Sequence, residues 1–252
     1  MSETPQETAP TAAVLIIGDE ILSGRTQDVN LAMIARFLGD WGVRLREARV
    51  IPDDEAAIVA AVNILRAAYT YVFTTGGIGP THDDITADCM ATAFGVGIDV
   101  RADALALLES RYSVDALTPA RRRMARIPDG ALLIGNPVSA APGFQLENVF
   151  VMAGIPMIAE TMMAGLKDRV AGGPPVLSAT VKALLPEGAI AEGLGRIQAD
   201  FPDLSIGSYP WLRGRQFGVN LVLRGTDPER LEAARALVEG LVRELGGEPV
   251  EA

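Results

Sequence analysis

A strand, a glycine-rich loop and a helix follow one another directly in residues 69–94. Residues 69–75 are rich in aromatic and β-branched side chains, which favours a buried strand. Gly76, Gly77 and Gly79 then fall within four positions. Glycine lets backbone N–H groups approach an anion without a Cβ clash, and the junction of a strand with a helix is where α/β sheets bind phosphate. This order predicts an α/β fold with a phosphate-binding loop.

Two aspartates follow the glycines. Asp83 and Asp84 would repel a phosphate unless a divalent cation lay between them, so they predict a metal–phosphate complex. The alternative is a plain turn, in which Asp84 or Thr86 only caps the helix predicted over residues 87–94. The loop is not a Walker A motif, because no Gly-Lys-Ser/Thr sequence follows it, and it does not indicate an ATPase.

The composition limits the kind of metal. The 252 residues include one cysteine, Cys89, and one histidine, His82. This excludes a disulfide framework within the chain and a Cys/His zinc site. We discount His82 as a general base, because aspartates stand beside it and a metal can activate water directly. The ligands must then be oxygen atoms, and we expect Mg²⁺, Mn²⁺ or Co²⁺.

Charge and hydropathy restrict the partners. The formal net charge is −10, which argues against general nucleic-acid binding. No apolar run approaches the roughly 18 residues of a membrane span, and the N-terminus lacks the basic and apolar segments of a signal peptide. We therefore expect a cytoplasmic protein that acts on a small-molecule nucleotide and binds neither nucleic acid nor a membrane.

The first predicted strand ends in acidic residues. Residues 12–17 are apolar, and Gly18, Asp19 and Glu20 follow directly. In open α/β sheets ligands bind at the carboxyl ends of the strands, so these residues are candidates for the ligand cleft. Taken alone, the stretch is equally consistent with a polar turn.

Asp53 follows the next predicted strand, residues 43–50, and precedes a helical pattern over residues 56–69. Its position suits an N-cap, and the acidic residues around it would stabilise the first helical turn. On this stretch alone, the capping interpretation is favoured.

A loop of small residues, 136–144, comes after a strand-like segment and could lie flat against a ligand. The strand predicted over residues 149–152 leads through residues 153–156 into a methionine-rich helix that reaches about Lys167. This alternation of strands and helices predicts a mostly parallel sheet covered on both faces. Four strand ends would then share one cleft.

Four arginines belong to or follow the helix predicted over residues 119–125: Arg121, Arg122, Arg123 and Arg126. A solvated basic face is the favoured interpretation, although one of them could approach a bound phosphate.

The segment Ala-Gly-Gly-Pro-Pro at residues 171–175 predicts a domain boundary. We expect a disordered tail over residues 1–11, a first domain over 12–172 and a small α+β domain over 176–248. The small domain has the order β-α-β-β-α and lacks a Gly-x-x-Gly clamp, so RNA binding is not expected. It suits packing, partial coverage of the cleft or subunit contact, and we expect a homo-oligomer.

Residues 17–24, 26–30, 74–86 and 208–210, together with Asn136 and residues 141–143, resemble one known family. It is the competence- and damage-inducible protein A (CinA) family, to which the hydrolase domain fused to eukaryotic FAD synthases is closely similar. Both belong to the molybdopterin-binding superfamily. The resemblance extends from about Ala13 to Leu245, and the Thr-Gln-Asp-x-Asn stretch looks most like the FAD-synthase branch.

The resemblance implies a three-layer molybdopterin-binding-like domain followed by a KH-like domain. The implied activity is metal-dependent hydrolysis of a nucleotide diphosphate such as ADP-ribose or FAD. A molybdopterin adenylyltransferase and a binding module without turnover are the alternatives. Asp53 and Asp84 match aspartates that are functional in the molybdopterin relatives, so an N-cap role for Asp53 would be incomplete.

Two departures from the family are visible. Many relatives have Pro-Gly-Val-Pro followed shortly by an acidic residue, whereas this chain has Ala-Gly-Ile-Pro at residues 153–156 and then Met157 and Ile158. Substrate contacts at this point are therefore in doubt. The nicotinamide-nucleotide amidohydrolase and FAD-synthesising domains do not follow, so we do not expect those activities.

These arguments assign a set of candidate site residues. The catalytic candidates are Glu20, Asp53, Asp83 and Asp84. The metal ligands are Asp19, Asp53 and Asp84. Substrate binding is assigned to Gly18, Asp19, Asn30, Thr75, Gly76, Gly77, Gly79, Pro80, Thr81, Asn136, Ala141, Pro142 and Gly143. The glycine amides would bind the diphosphate, and the adenosine or ribose would lie along residues 136–143.

Overall fold

The first strand of the computed structural model begins at Thr11, within the predicted tail. The structure describes residues 9–214 and 216–251, so the first eight residues of that predicted tail lie outside the described part. The chain divides into two compact units, unit 1 up to Gly173 and unit 2 from Pro174. The two units are taken separately below.

The strands of unit 1 are β1 (Thr11–Ile17), β2 (Arg44–Ile51), β3 (Tyr71–Thr75), β4 (Ile98–Val100), β5 (Arg126–Pro128), β6 (Leu132–Ile134), β7 (Gly143–Leu146) and β8 (Val149–Met152). Its α-helices are α1 (Asp19–Leu22), α2 (Asn30–Asp40), α3 (Glu55–Ala68), α4 (Thr86–Phe94), α5 (Ala102–Arg111), α6 (Pro119–Arg123) and α7 (Pro156–Ala164). Short 3₁₀ helices lie at Val114–Ala116 and Lys167–Arg169.

The main sheet of unit 1 has the strand order β2-β1-β3-β8-β7-β6. Strands β2, β1, β3 and β8 are parallel, and β7 and β6 continue the sheet in antiparallel pairing. Strands β4 and β5 form a separate antiparallel pair. Strand β2 pairs with one edge of β1, and β3 pairs with the other edge of β1. The ends of β1 and β3 therefore flank the point where α/β sheets bind their ligands.

Helices cover both faces of this sheet. Successive residues of β1 point to opposite faces, as the pleat of a strand requires. Leu15 packs with Ile58 of α3 and Met90 of α4, whereas Val14 packs with Ile34 of α2 and Met162 of α7. The predicted three-layer α/β architecture with a mostly parallel sheet is confirmed.

Some predicted boundaries need correction. The helix after β2 starts at Glu55 rather than residue 56, and the methionine-rich helix ends at Ala164 rather than near Lys167. The loop predicted over residues 136–144 gives way to β7 at Gly143. Strands β4 and β5 were missed, because three-residue strands leave too short a pattern to distinguish from a loop.

Unit 2 contains strands β9 (Leu177–Ala183), β10 (Ser205–Arg213), β11 (Gln216–Gly225) and β12 (Val250–Glu251), with helices α8 (Glu187–Asp200) and α9 (Pro228–Glu244). Its antiparallel sheet has the order β10-β11-β9-β12. Strand β10 contains Pro210 and continues to Arg213. An edge strand tolerates a proline, and β10 lies at the edge. Unit 2 is the predicted small α+β domain.

Within the described residues, every helix is too short or too polar to cross a membrane.

Candidate functional site

Loops at the carboxyl edge of the parallel strands surround an open cleft of about 630 Å³ in unit 1. This volume suits a nucleotide-sized ligand. The lining residues are Glu20, Thr26, residues 76–80, Asp84, Tyr112, Arg121, Met124, Asn136, Ser139, Ala141, residues 153–156 and Ile158. The loops after β1, β3, β6 and β8 thus meet in one cleft.

The glycine loop after β3 adopts backbone angles that other residues avoid. Gly76 has φ +106° and Gly77 has φ +66°. A Cβ atom on Gly76 would lie 2.0 Å from the carbonyl oxygen of Ile17, and one on Gly77 would lie 2.1 Å from Oγ1 of Thr86. Both positions therefore require glycine for conformation and for space.

Thr86 fastens this loop to helix α4. Its buried hydroxyl donates to the carbonyl oxygen of Gly76 at 3.0 Å, and its backbone N–H donates to that of Gly77 at 3.0 Å. The N-cap of α4 is Ile85, which makes no side-chain capping bond. The alternative in which Asp84 or Thr86 serves only as a helix cap is therefore wrong.

The loop presents unused hydrogen-bond donors. The N–H of Gly76 donates to Met152 at 3.2 Å, which ties the loop to β8. The N–H groups of Gly77, Ile78 and Gly79 find no acceptor among the described residues. Because all three residues line the cleft, their amides can receive the oxygens of an anion.

Asp84 lies against the same loop. Its Oδ2 accepts hydrogen bonds from the backbone N–H of Thr81 at 2.8 Å and from the Thr81 hydroxyl at 2.5 Å. A Cβ on Gly79 would come within 2.6 Å of that oxygen, so the third glycine makes room for the carboxylate. Asp84 is half-buried and lines the cleft.

Asp53 is directed toward the end of β1. Its Oδ2 accepts the backbone N–H of Asp19 at 3.0 Å, and its Oδ1 lies 3.5 Å from the position that a Cβ on Gly77 would occupy. Burial raises the pKa of Asp53, and the nearby negative charges of Glu20, Asp19 and Asp83 raise it further. Among the described residues, Asp53 has no ion-pair partner.

The predicted N-cap role of Asp53 is wrong, because Asp54 caps helix α3. The Asp54 side chain accepts the backbone N–H of Ala57 at 2.8 Å. Helix α3 begins at Glu55, so the residue directly before it, Asp54, is its N-cap. Asp53 remains available to the site.

The other acidic candidates differ in position. Glu20 lines the cleft, and its carboxylate lies over the backbone of Gly18. Asp83 and His82 project from the tip of the loop, with side chains 61% and 96% exposed, and neither lines the cleft. In the part of the chain that the structure describes, no three His, Cys, Asp or Glu side chains converge to hold a metal ion by themselves.

Asn30 and Thr75 lie behind the cleft wall. The Asn30 amide donates to the carbonyl oxygen of Gly154 at 2.8 Å and so positions the loop after β8. Gly154 in turn approaches the glycine loop, since a Cβ there would lie 3.3 Å from Cα of Gly76. The Asn30 Oδ1 and Thr75 Oγ1 atoms are buried without a partner in the described residues.

The polar side-chain atoms of Asn136 form hydrogen bonds within their own loop. Its amide nitrogen donates to Ser139 Oγ at 2.6 Å and to the carbonyl oxygen of Ala141 at 2.8 Å. Its Oδ1 accepts the N–H groups of Val138 and Ser139, both at 3.1 Å. The side chain predicted to bind substrate therefore shapes the cleft wall.

Pro142 and Gly143 do not line the cleft. Gly143 begins β7 and is buried, and a Cβ there would lie 2.3 Å from the carbonyl oxygen of Val151. Its small size permits strand pairing. The contiguous motif suggested a substrate contact, but the chain leaves the cleft after Ala141.

Sequence reasoning missed a wall formed by Tyr112 and Arg121. The Arg121 guanidinium lies 4.6 Å from the centre of the Tyr112 ring, and its Nη1 donates to the carbonyl oxygen of Ala116 at 2.6 Å. Ile155 also lines the cleft, at the point where the family pattern departs. The run of arginines was the only sequence signal for this wall.

The fold and the cleft together define a three-layer α/β protein with a ligand cleft at the carboxyl edge of its parallel strands. The family comparison agrees with this class. Residues 13–171 match the family described as the probable molybdopterin binding domain, and this chain belongs to that family. Residues 175–246 match the middle domain of FAD synthase.

Individual relatives narrow the class to CinA-like proteins. A CinA-like protein of Gemmatimonas aurantiaca is 34% identical over 253 residues, which cover 93% of this chain and 59% of that protein. A protein of Pyrobaculum arsenaticum is 32% identical over 258 residues, covering 94% of this chain and 96% of its own length. The crystal structure of CinA from Thermoplasma acidophilum, a protein of unknown function, matches with a TM-score of 0.61 and 34% identity, covering 64% of this chain and 98% of that one.

The predicted resemblance to the CinA family is confirmed. This chain spans about half to three-fifths of the length of the first CinA-like relatives that it matches.

Proposed function

We propose that this chain hydrolyses the pyrophosphate bond of a nucleotide diphosphate derivative of the ADP-ribose or FAD type, assisted by a divalent cation. The observation that carries the proposal is the glycine loop. It offers the free amides of Gly77, Ile78 and Gly79 to one cleft, beside the fixed carboxylate of Asp84. Amides without acceptors suit phosphate oxygens, and a carboxylate next to them suits a cation that accompanies the phosphate.

The donor set fits a cation that is shared with the substrate. Mg²⁺ typically takes one or two carboxylates and completes its shell with water and substrate phosphates, so three convergent protein ligands are unnecessary. Asp84 and Asp53 would hold the ion, with Asp19 next to Asp53. When bound, Mg²⁺, Mn²⁺ or Co²⁺ would neutralise charge on the diphosphate.

The hydrolysis needs an acceptor for the proton of the attacking water. Oxygen of the water would bond to one phosphorus while the bond from that phosphorus to the bridging oxygen breaks, which yields two monophosphates. Asp53 and Asp84 are assigned to the cation, so they are not available to take this proton. Glu20, which lines the cleft and holds no assigned ion, is the candidate base.

The family match favours a second candidate function. Because residues 13–171 match a probable molybdopterin binding domain, the cleft is also a candidate site for a pterin, either for adenylyl transfer or for binding without turnover. The free amides serve a pterin phosphate equally well.

One experiment separates these functions. Purified protein is incubated with ADP-ribose, FAD, or ATP plus molybdopterin, each with Mg²⁺, Mn²⁺ or Co²⁺, and the products are separated by chromatography. Pyrophosphatase activity gives AMP with ribose phosphate or FMN, and adenylyl transfer gives adenylylated pterin with pyrophosphate. Full activity after exhaustive chelation, with no metal found by elemental analysis, would contradict the metal-assisted reaction.

A matched pair of variants assigns any activity to the cleft. His82→Gln changes a side chain at the exposed loop tip and should keep substantial turnover. Asp84→Asn changes the carboxylate in the cleft and should lose most of it.

A further inference from the structure

Arg121 differs from the other arginines of its segment. Arg126 forms an ion pair with Asp88 at 2.5 Å, and Arg123 donates to the backbone carbonyl of Asp84 at 3.5 Å. Arg121 makes no ion pair among the described residues and lines the cleft. Within the described lining, it is the only cationic side chain.

The guanidinium of Arg121 is held in place without having its charge neutralised. The Tyr112 ring supports one face at 4.6 Å, and the carbonyl oxygen of Ala116 takes one N–H. Arginine has further N–H groups in a planar fork that matches phosphate geometry. Its remaining donors are therefore available to a ligand.

Helix α6 brings this cation close to the glycine loop. Arg123, two positions after Arg121, contacts the carbonyl oxygen of Asp84. Met124 also lines the cleft and, with Arg123, a small adjoining cavity bordered by Gly77 and Gly79. Arg121 and the loop amides can therefore face one bound molecule.

We propose that Tyr112 and Arg121 form a phosphate subsite, in which Arg121 binds one phosphate of a nucleoside diphosphate and Tyr112 positions the guanidinium. The subsite rests on the proposed function in that its ligand is a diphosphate. The loop amides, with a cation held by the acidic side chains, take one phosphate, and Arg121 neutralises the other. The wall formed by Tyr112 and Arg121 recognises the charge of the phosphate rather than the nucleotide base.

Calorimetric titration tests the subsite without turnover. α,β-Methylene-ADP, which resists hydrolysis, and adenosine are titrated with Mg²⁺ into the full chain and its variants. Arg121→Gln should bind α,β-methylene-ADP about tenfold to a hundredfold more weakly and adenosine equally well, because a charge-assisted bond is lost. Arg121→Lys should recover part of the affinity, since it restores the charge but not the fork.

Three further variants examine the positioning role. Tyr112→Phe keeps the ring and should bind like the wild type, whereas Tyr112→Leu should lose roughly threefold to tenfold in affinity for α,β-methylene-ADP. Arg122→Gln changes an exposed arginine of the same helix and should leave both affinities unchanged. Melting temperatures confirm that each variant is folded.

Each outcome of the titrations either retains or overturns the phosphate subsite. If Arg121→Gln weakened the binding of adenosine as much as the binding of α,β-methylene-ADP, the wall would stack on the nucleotide base. The phosphate subsite would then be wrong. Wild-type protein that does not bind α,β-methylene-ADP, or a folded Arg121→Gln with wild-type affinity for it, would also overturn the subsite. Binding that depends on Arg121, without hydrolysis of ADP-ribose or FAD, would retain the subsite and reject the proposed hydrolysis.

Discussion

Two loops of small residues border the cleft, and they use their polar groups in opposite ways. In the loop after β3, Gly77, Ile78 and Gly79 line the cleft, and their N–H groups have no acceptor among the described residues. In the loop after β6, the Asn136 side chain makes four hydrogen bonds within its own loop, three with backbone groups and one with the Ser139 hydroxyl. Free N–H groups in the first loop favour a role in ligand binding, whereas the internal hydrogen bonds of the second favour a supporting role.

The largest expected effect comes from Gly76→Ala. The new Cβ would meet the carbonyl oxygen of Ile17, and φ at this position is +106°. Together the clash and the strain should cost about 3 kcal/mol of folding stability. Gly24→Ala is the control, because Gly24 has φ +70° but no atom near its Cβ position, and it should cost only about 1 kcal/mol. Denaturant unfolding measures both, and equal costs would contradict the close approach.

The next effect concerns turnover rather than stability. Asp84→Asn keeps an oxygen that can accept from Thr81, so the fold should persist. If the proposed function holds, loss of a carboxylate charge that would bind the cation should slow hydrolysis by about a hundredfold, and Asp53→Asn should do the same. Steady-state kinetics and thermal melting decide the matter. Variants that melt normally and hydrolyse at the wild-type rate would make the carboxylates structural.

Asn136→Ala should lower stability and leave turnover nearly unchanged, which is the reverse of Asp84→Asn. The substitution leaves the N–H groups of Val138 and Ser139 without acceptors, and stability should fall by about 2 kcal/mol. Turnover well below the melting range should stay within about threefold of the wild type. A loss of activity like that of Asp84→Asn, with little loss of stability, would make Asn136 a binding residue after all.

The smallest effect is the pH dependence of stability at Asp53. Burial raises the pKa of Asp53 in the folded state, so the folded chain binds this proton more tightly than the unfolded chain does. The contribution of Asp53 to stability is complete below its unfolded-state pKa and is lost as pH rises through the folded-state pKa. At neutral pH, Asp53→Asn should therefore melt slightly higher, by roughly 1–3 °C. Near pH 4 the gain should shrink, and a gain that grows on acidification would reverse the sign of the pKa shift.

The sequence predicted the features that local chemistry controls. Three glycines between a strand and a helix have few uses other than a loop with left-handed angles, so the loop and its partner Asp84 were found. The alternation of strands and helices predicted the parallel sheet in the same way. Hydrophobic periodicity located most elements to within a few residues.

Features that depend on distant packing were not predictable. Whether Asp53 or Asp54 caps helix α3 depends on the residue at which the helix begins, a difference of one position. Whether Asn136 faces a ligand or its own backbone depends on the fold of its loop, because the same amide can do either. Tyr112 and Arg121 reach the cleft through the packing of α5 and α6, for which the run of arginines is the only local sign in the sequence.

The exchange rates of the N–H groups in the glycine loop should report whether the cleft is occupied. In hydrogen–deuterium exchange, Gly76 and Thr86 should exchange slowly in the free protein, because their N–H groups already bond to Met152 and Gly77. The amides of Gly77, Ile78 and Gly79 should exchange rapidly and become protected only when an anion fills the cleft. Protection of these amides would thus identify a bound phosphate compound even where no reaction follows.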